Sequence, residues 1–222
     1  MAPLETPTKA ASKPLRADAQ RNRDRLVVAG KEVFAERGFD VSLDEIARHA
    51  GVGVGTAYRR FPNKEALINE IFDERMQEIT VVLQKALELD DPWEGLQMFV
   101  ADLLRFQSED RGLKQAFHEA DATRDRMTEA KAVLQPMISE LIERSQAAGK
   151  LRPDVTPTDV MVGVMMLGTV IDATREIKPD AWRRYLTLAL DGFAVGKGEF
   201  GDLPGEPLTP DEFDEALHCI QN

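Results

Sequence analysis

Cysteine is almost absent: Cys219 is the only one in 222 residues, so an intramolecular disulfide framework is excluded and a reducing compartment is expected. No stretch holds the roughly 18 uncharged apolar residues that a membrane-spanning helix needs. The leading MAPLETPTKAASKPLRADAQ also carries no apolar run of signal-peptide type. A cytoplasmic protein with no membrane partner is expected. Histidine is scarce as well. His49, His118 and His218 lack metal-ligand spacing, and the neighbours His218 and Cys219 would diverge by about 100° on a helix. No set of residues meets the roles of nucleophile, base and orienting group, so the expectation is neither an enzyme nor a cofactor or metal protein. Internal repeats and low-complexity tracts are also missing.

A positive charge balance is lacking for the chain as a whole, which carries −11. The deficit is uneven. Residues 1–68 hold 12 Lys and Arg against 9 Asp and Glu, a net +3, while the remainder holds 16 against 30, a net −14. Because salt screens charge over about 8 Å, an acidic part can sit away from a polyanion that the basic end attracts. Most of the acidic residues are read simply as solvated surface. With 43% hydrophobic residues the chain can bury a core, as one unit or as a small domain with a larger one.

What is present is concentrated at 40–67, DVSLDEIARHAGVGVGTAYRRFPNKEAL. Ser42 and Glu45 have the spacing of a capping box, in which each side chain satisfies an amide left unpaired at a helix start. Ile46, Ala47 and Ala50 follow at helical spacing, and Gly51 supplies the left-handed position that ends a helix. In the next run Ala57 and Phe61 share a face, leaving Gly55, Thr56, Tyr58, Arg59 and Arg60 largely outside it. Two short helices joined by a glycine turn read as a helix-turn-helix.

The second helix suits double-stranded DNA. Arginine grips guanine through a bidentate fork, and Thr, Tyr and Lys bond or pair with phosphates. Gly53 and Gly55 add no bulk, and Val54 meets a thymine methyl or turns to the core. Pro62 blocks continuation, Asn63 is a good N-cap, and Lys64 stands at a helix start that favours phosphate. The candidate DNA contacts are Ser42, Gly53, Val54, Gly55, Thr56, Tyr58, Arg59, Arg60 and Lys64. A glycine-rich phosphate loop is the competing reading of 51–56. It requires a preceding strand and a lysine–serine ending, and neither is present. A nonspecific architectural DNA protein is another alternative, but Arg59 and Arg60 on a helix-turn-helix predict an operator.

FAERGF at 34–39, SLDEIA at 42–47, AGV at 50–52, GTAYRRF at 55–61 and NKEAL at 63–67 occur in this order. The series resembles the DNA-binding domain of the TetR family of transcriptional regulators, over about a quarter of the chain. The resemblance implies an all-helical homodimer on operator DNA. It also implies a small-molecule effector pocket in the C-terminal domain, and usually repression released by that ligand. Such a protein would be cytoplasmic and nucleoid-associated.

The expected fold is all-α, an N-terminal three-helix domain followed by a larger helical one. Residues 1–20 read as a flexible basic arm, which reaches DNA or is an unstructured leader. The DNA-binding domain is placed at 21–68. Its first helix, 21–37, buries Leu26, Ala29, Gly30, Val33 and Phe34. The early Arg21, Arg23 and Arg25 are phosphate contacts or solvated charges.

The effector-binding and dimerisation domain is placed at 69–195, with helices at 63–89, 93–108, 113–118, 123–148, 157–171 and 181–195. Pro136 should remove a hydrogen bond and kink its helix, whose buried face includes Val133. The run 160–171 is apolar almost all round and should be buried on most sides. Paired with 181–195 it fits a four-helix dimer interface, where Gly163 and Gly168 permit close approach. Residues 196–222 read as a loose acidic tail with a short helix at 210–220. Phe99, Leu103, Phe106, Met137, Met165 and Thr169 are candidate walls for a small, largely apolar effector, because they bring aromatic, soft and hydroxyl groups to adjacent helices.

Overall fold

The computed structural model describes residues 13–38, 40–109, 124–196 and 203–219. Among these residues the fold is all-α. Its helices are α1 (Lys13–Arg37), α2 (Leu43–His49), α3 (Val54–Arg60), α4 (Lys64–Glu88), α5 (Pro92–Glu109), α6 (Arg124–Ala147), α7 (Pro157–Thr174), α8 (Ala181–Phe193) and α9 (Pro210–Cys219). The one β-type feature among them is an isolated antiparallel bridge between Leu151 and Ala194. No helix among them is long and apolar enough to cross a membrane. The chain divides into two compact units between Ile71 and Phe72. The helix expected at 113–118 lies outside the described residues.

In the first unit α1, α2 and α3 pack on one another. The face of α1 read from its periodicity is the buried one, with Leu26, Ala29, Val33 and Phe34 at 3% exposure or less. The start of α4 completes this core through Leu67, Ile68 and Ile71. Gly30 lies close against that contact, since a Cβ there would stand 3.0 Å from Ile71 Cδ1 and 3.2 Å from Leu67 Cδ2, and these side-chain ends would have to give way. The arm expected at 1–20 is corrected in part, because α1 begins at Lys13. This start shows no apolar period, and the turns that follow it are supported by local pairs: Arg21 with Asp18, and Gln20 Nε2 donating to Asp24 at 2.7 Å. Pro14 is tolerated there because a first-turn amide needs no helical acceptor. Arg23 pairs with Glu70, so it is an internal tie of this unit.

In the second unit α5 packs on α6, α7 and α8, and α7 packs on α8. The core runs from Leu83 and Ala86 of α4 through Leu96, Val100 and Leu104 to Trp182. α6 runs through Pro136 as one helix, and its buried residues Ile138, Leu141, Ile142 and Ser145 all follow the proline. Val133 was expected on that face, yet it is 55% exposed, while its neighbour Leu134 is the one packed against the core. Arg144 caps the end of α4, donating to the carbonyls of Leu87 at 2.7 Å and Leu89 at 3.3 Å. Thr156 and Asp159 form a capping box at the start of α7.

The tail is attached over its described part, not loose. Thr209 and Glu212 exchange capping-box hydrogen bonds at 2.8–3.2 Å, α9 packs on α7, and Lys131 pairs with Asp214. Leu203 N–H donates to Asp154 at 3.0 Å, and Arg152 grips the same carboxylate at 2.9 and 2.7 Å. The Arg152 fork, then the Leu203 amide, hold the Asp154 carboxyl well below the usual range. A carboxyl depressed in the fold contributes stability that is complete above its unfolded value of about 3.9 and is lost as pH falls below it. Asp154→Asn should therefore lower the urea midpoint at neutral pH and narrow the difference between neutral and strongly acidic midpoints; an unchanged difference would separate this carboxylate from the acid response.

Candidate nucleic-acid interface

The helix-turn-helix is assembled from short-range contacts. Ser42, extended at φ −85° and ψ 156°, caps α2. Its backbone N–H and hydroxyl donate to the Glu45 carboxylate at 2.9 and 2.8 Å, and its oxygen accepts the Glu45 amide at 3.3 Å. These bonds hold the Glu45 carboxyl below its ordinary value. At the other end Val52 N–H reaches the Ala47 carbonyl at 2.9 Å and Gly51 N–H reaches that of Arg48 at 3.1 Å, the paired bonds of a Schellman stop. Gly51 has φ +60°, and a Cβ there would come 2.7 Å from Arg25 Nη2. That nitrogen donates to the Gly51 carbonyl at 3.2 Å, so Arg25 fastens the turn to α1.

Gly53 opens α3, its carbonyl accepting from Thr56 at 2.7 Å and Ala57 at 3.0 Å. Ala57 is fully buried and Phe61 is 3% exposed. The opposite side of α3 is presented outward. Gly53, Gly55, Tyr58, Arg59 and Arg60 are exposed, and Val54 and Thr56 are half-buried. Open space surrounds the position of a Cβ on Gly55. Arg59 Nη2 donates to Thr56 Oγ1 at 2.9 Å, which pre-orients the guanidinium along the helix. A hydrogen bond to the Asp44 carboxylate, and then its charge, push the Tyr58 hydroxyl above its ordinary pKa, so this phenol is tied to α2 and must leave Asp44 to donate to a phosphate. Asn63 Oδ1 accepts from Ala66 N–H at 2.8 Å, placing Lys64 in the first turn of α4. The Ser42 hydroxyl is likewise engaged, in the cap of α2.

The candidate effector residues do not gather at one place. Phe99 is buried in the core of the second unit, with Leu103 and Met137 partly buried against that core. Met165 and Thr169 lie on α7 outside this cluster; Thr169 is exposed, and its hydroxyl donates to the Met165 carbonyl at 3.4 Å. Phe106 is not in an apolar wall. The guanidinium of Arg75 stands 4.6 Å from its ring centre and that of Arg105 5.0 Å. Arg75, 7% exposed, was missed from the sequence, although its position three residues after Phe72 and four before Ile79 places a cation on an apolar stripe.

These features define a helix-turn-helix DNA-binding protein with a separate helical C-terminal unit. Residues 26–71 match the model for bacterial regulatory proteins of the tetR family, and residues 91–195 match that for the C-terminal domain of SbtR-like transcriptional regulators. A TetR transcription regulatory protein from Mycobacterium vanbaalenii is 35% identical with a TM-score of 0.58, over 82% of this chain and 100% of that one. The TetR transcriptional regulator SCO0520 from Streptomyces coelicolor is 28% identical, also at 0.58, over 78% and 98%. The HTH-type transcriptional regulator SrpR of Pseudomonas putida is 26% identical over 140 residues, 61% of this chain, and the match spans 66% of that regulator's length. The chain belongs to the TetR family of bacterial transcriptional regulators, which are DNA-binding transcription factors and not enzymes.

Proposed function

We propose that the protein is a cytoplasmic, nucleoid-associated repressor that binds a two-fold operator as a homodimer and is released by a small, largely apolar effector. The observation that carries the DNA reading is the division of α3, with Ala57 in the core and Arg59 and Arg60 on the outside. Arginines so placed read base edges in the major groove, while Tyr58, Thr56 and Lys64 suit phosphates. Apolar residues left outside on α7 and α8 support the homodimer, among them Met166 at 62% and Leu188 at 57% exposure. For release, the effector must prefer the conformation that binds DNA poorly, and by linkage the operator then weakens the effector by the same factor.

Substitutions separate reading from holding. Arg59→Ala or Arg60→Ala should cost about 1–3 kcal/mol on the operator and relax preference at particular base pairs. Lys64→Ala should weaken all sequences alike and flatten the salt dependence. Operator recovered by selection from random duplexes, titrated beside random DNA at two salt concentrations, checks both. Equal losses on operator and random DNA for every variant would instead favour an architectural, sequence-insensitive protein.

A further inference from the structure

The core of the second unit ends in polar atoms that its own side chains leave unsatisfied. Along α5 the buried residues Leu96, Val100 and Leu104 recur on one face, and Gln107 continues it three residues beyond Leu104. Its Oε1 is buried and has no hydrogen-bond partner. The carbonyl of the next residue, Ser108, accepts from Arg175 Nη1 at 2.9 Å. The other terminal nitrogen of that guanidinium, Nη2, is buried without a hydrogen bond and stands 3.7 Å from Asp172. An unmet acceptor and an unmet donor therefore attach to consecutive positions of the last turn of α5. Buried polar groups are rarely left dry and unpaired, and those that are call for a function or a missing partner.

The charges nearby decide what kind of partner fits. Arg175 faces Asp172 at 3.7 Å, Arg105 pairs with Asp102 at 2.8 Å, and Arg75 pairs with Glu78 at 2.8 Å. Each arginine at this end of α5 already faces a carboxylate, so nothing here calls for an anion. A carboxylate ligand would also set an oxygen against the oxygen of Gln107, and an ammonium would meet the Arg175 cation. A hydroxyl is the smallest neutral group that donates and accepts at once.

We propose that Gln107 and Arg175 are the head-group subsite of the effector domain, and that the effector carries a neutral hydroxyl on an apolar body. The hydroxyl donates to Gln107 Oε1 and accepts from Arg175 Nη2, and the body lies against the apolar face that includes Leu103. This rests on the effector reading above and narrows it from an apolar molecule to a phenol or alcohol.

Calorimetric titration of the full chain with 4-butylphenol, its methyl ether 4-butylanisole and 4-butylbenzoate tests it. The phenol should bind about tenfold or more tightly than either analogue, the scale of one hydrogen bond lost at a buried group. Gln107→Met should bring the phenol to the level of the ether, leave the ether unchanged, and not lower the melting temperature, because it replaces an unpaired amide with an apolar chain. Equal binding of phenol and either analogue, no phenol binding at millimolar concentration, or a Gln107→Met variant that melts several degrees lower would each overturn the subsite. Operator titrations keep the two readings apart. Discriminating phenol binding that leaves operator affinity unchanged supports the subsite and removes induction by it, whereas three probes that release the operator equally keep induction and remove the subsite.

Discussion

A double variant carrying Met166→Glu and Leu188→Glu is expected to behave as a monomer and to lose operator affinity by about 100-fold or more. On α7, Val160, Val164, Leu167 and Ile171 face the chain's own core, and on α8 Trp182, Leu186 and Leu190 do so. Met166, Tyr185 and Leu188 remain outside at 62%, 45% and 57% exposure, on two helices that pack against each other. A two-fold pairing with a second copy would bury this face on both sides at once, since a two-fold interface uses the same patch twice. Four carboxylates in that patch would have to be desolvated without partners, which dissociation avoids. Each monomer would then hold one half-site, and the advantage of the second, intramolecular contact disappears. Val133→Glu is the control, because Val133 is 55% exposed on α6 and its substitution should leave the dimer intact. Gly168, expected from the sequence at the interface, is buried within its own chain and is the wrong residue to test. Sedimentation equilibrium beside operator titration gives the answer: a double variant that is dimeric and binds normally would put the interface elsewhere.

Gly95→Ala should destabilise the second unit by about 3 kcal/mol, the upper end of the usual overpacking range. One added methyl has this effect because of what it meets. A Cβ at Gly95 would lie 2.3 Å from the Ala86 carbonyl oxygen and 3.3 Å from Leu141 Cδ1. A side chain can swing aside from such a contact, but a carbonyl of α4 moves only with its helix, and Ala86 is itself fully buried in the core. The glycine thus lets the first turn of α5 lie against the last turns of α4. Gly192→Ala, near the end of α8, is the comparison: open space surrounds that Cβ, so alanine's better helix propensity should add stability of up to about 1 kcal/mol. Urea unfolding followed by the fluorescence of Trp93 and Trp182, both in this unit, measures the two together. Matching midpoints for the two alanine variants would show that α4 and α5 part without cost.

The helix-turn-helix was legible because its determinants are close in sequence. Ser42 and Glu45 are three residues apart, Val52 bonds back only to Ala47, and Ala57 and Phe61 lie within two turns. Where the reading failed, the deciding partner was distant or absent from the apolar pattern. Residues 13–20 read as an arm because they lack an apolar period, yet α1 begins at Lys13, with polar i to i+3 and i+4 pairs at 18–24. The tail looked loose from its acidity, but Asp214 meets Lys131, 83 residues earlier. Phe99 and Phe106 are both aromatic and seven residues apart, on one face of α5 by helical spacing; the fold buries the first and sets the second between two arginines.

By itself the sequence determined an all-helical chain, a helix-turn-helix with its glycine stop, and a helix face suited to DNA. Each follows from hydrogen bonds and periodicity within a few residues. The tertiary structure decided which apolar side chains form the core, which stay outside on α7 and α8, and which polar atoms of Gln107 and Arg175 are stranded inside. The reason is that apolar burial is non-directional. A methionine at helical spacing reads the same whether it faces its own core, a ligand or another subunit, until the packing of the other helices assigns it.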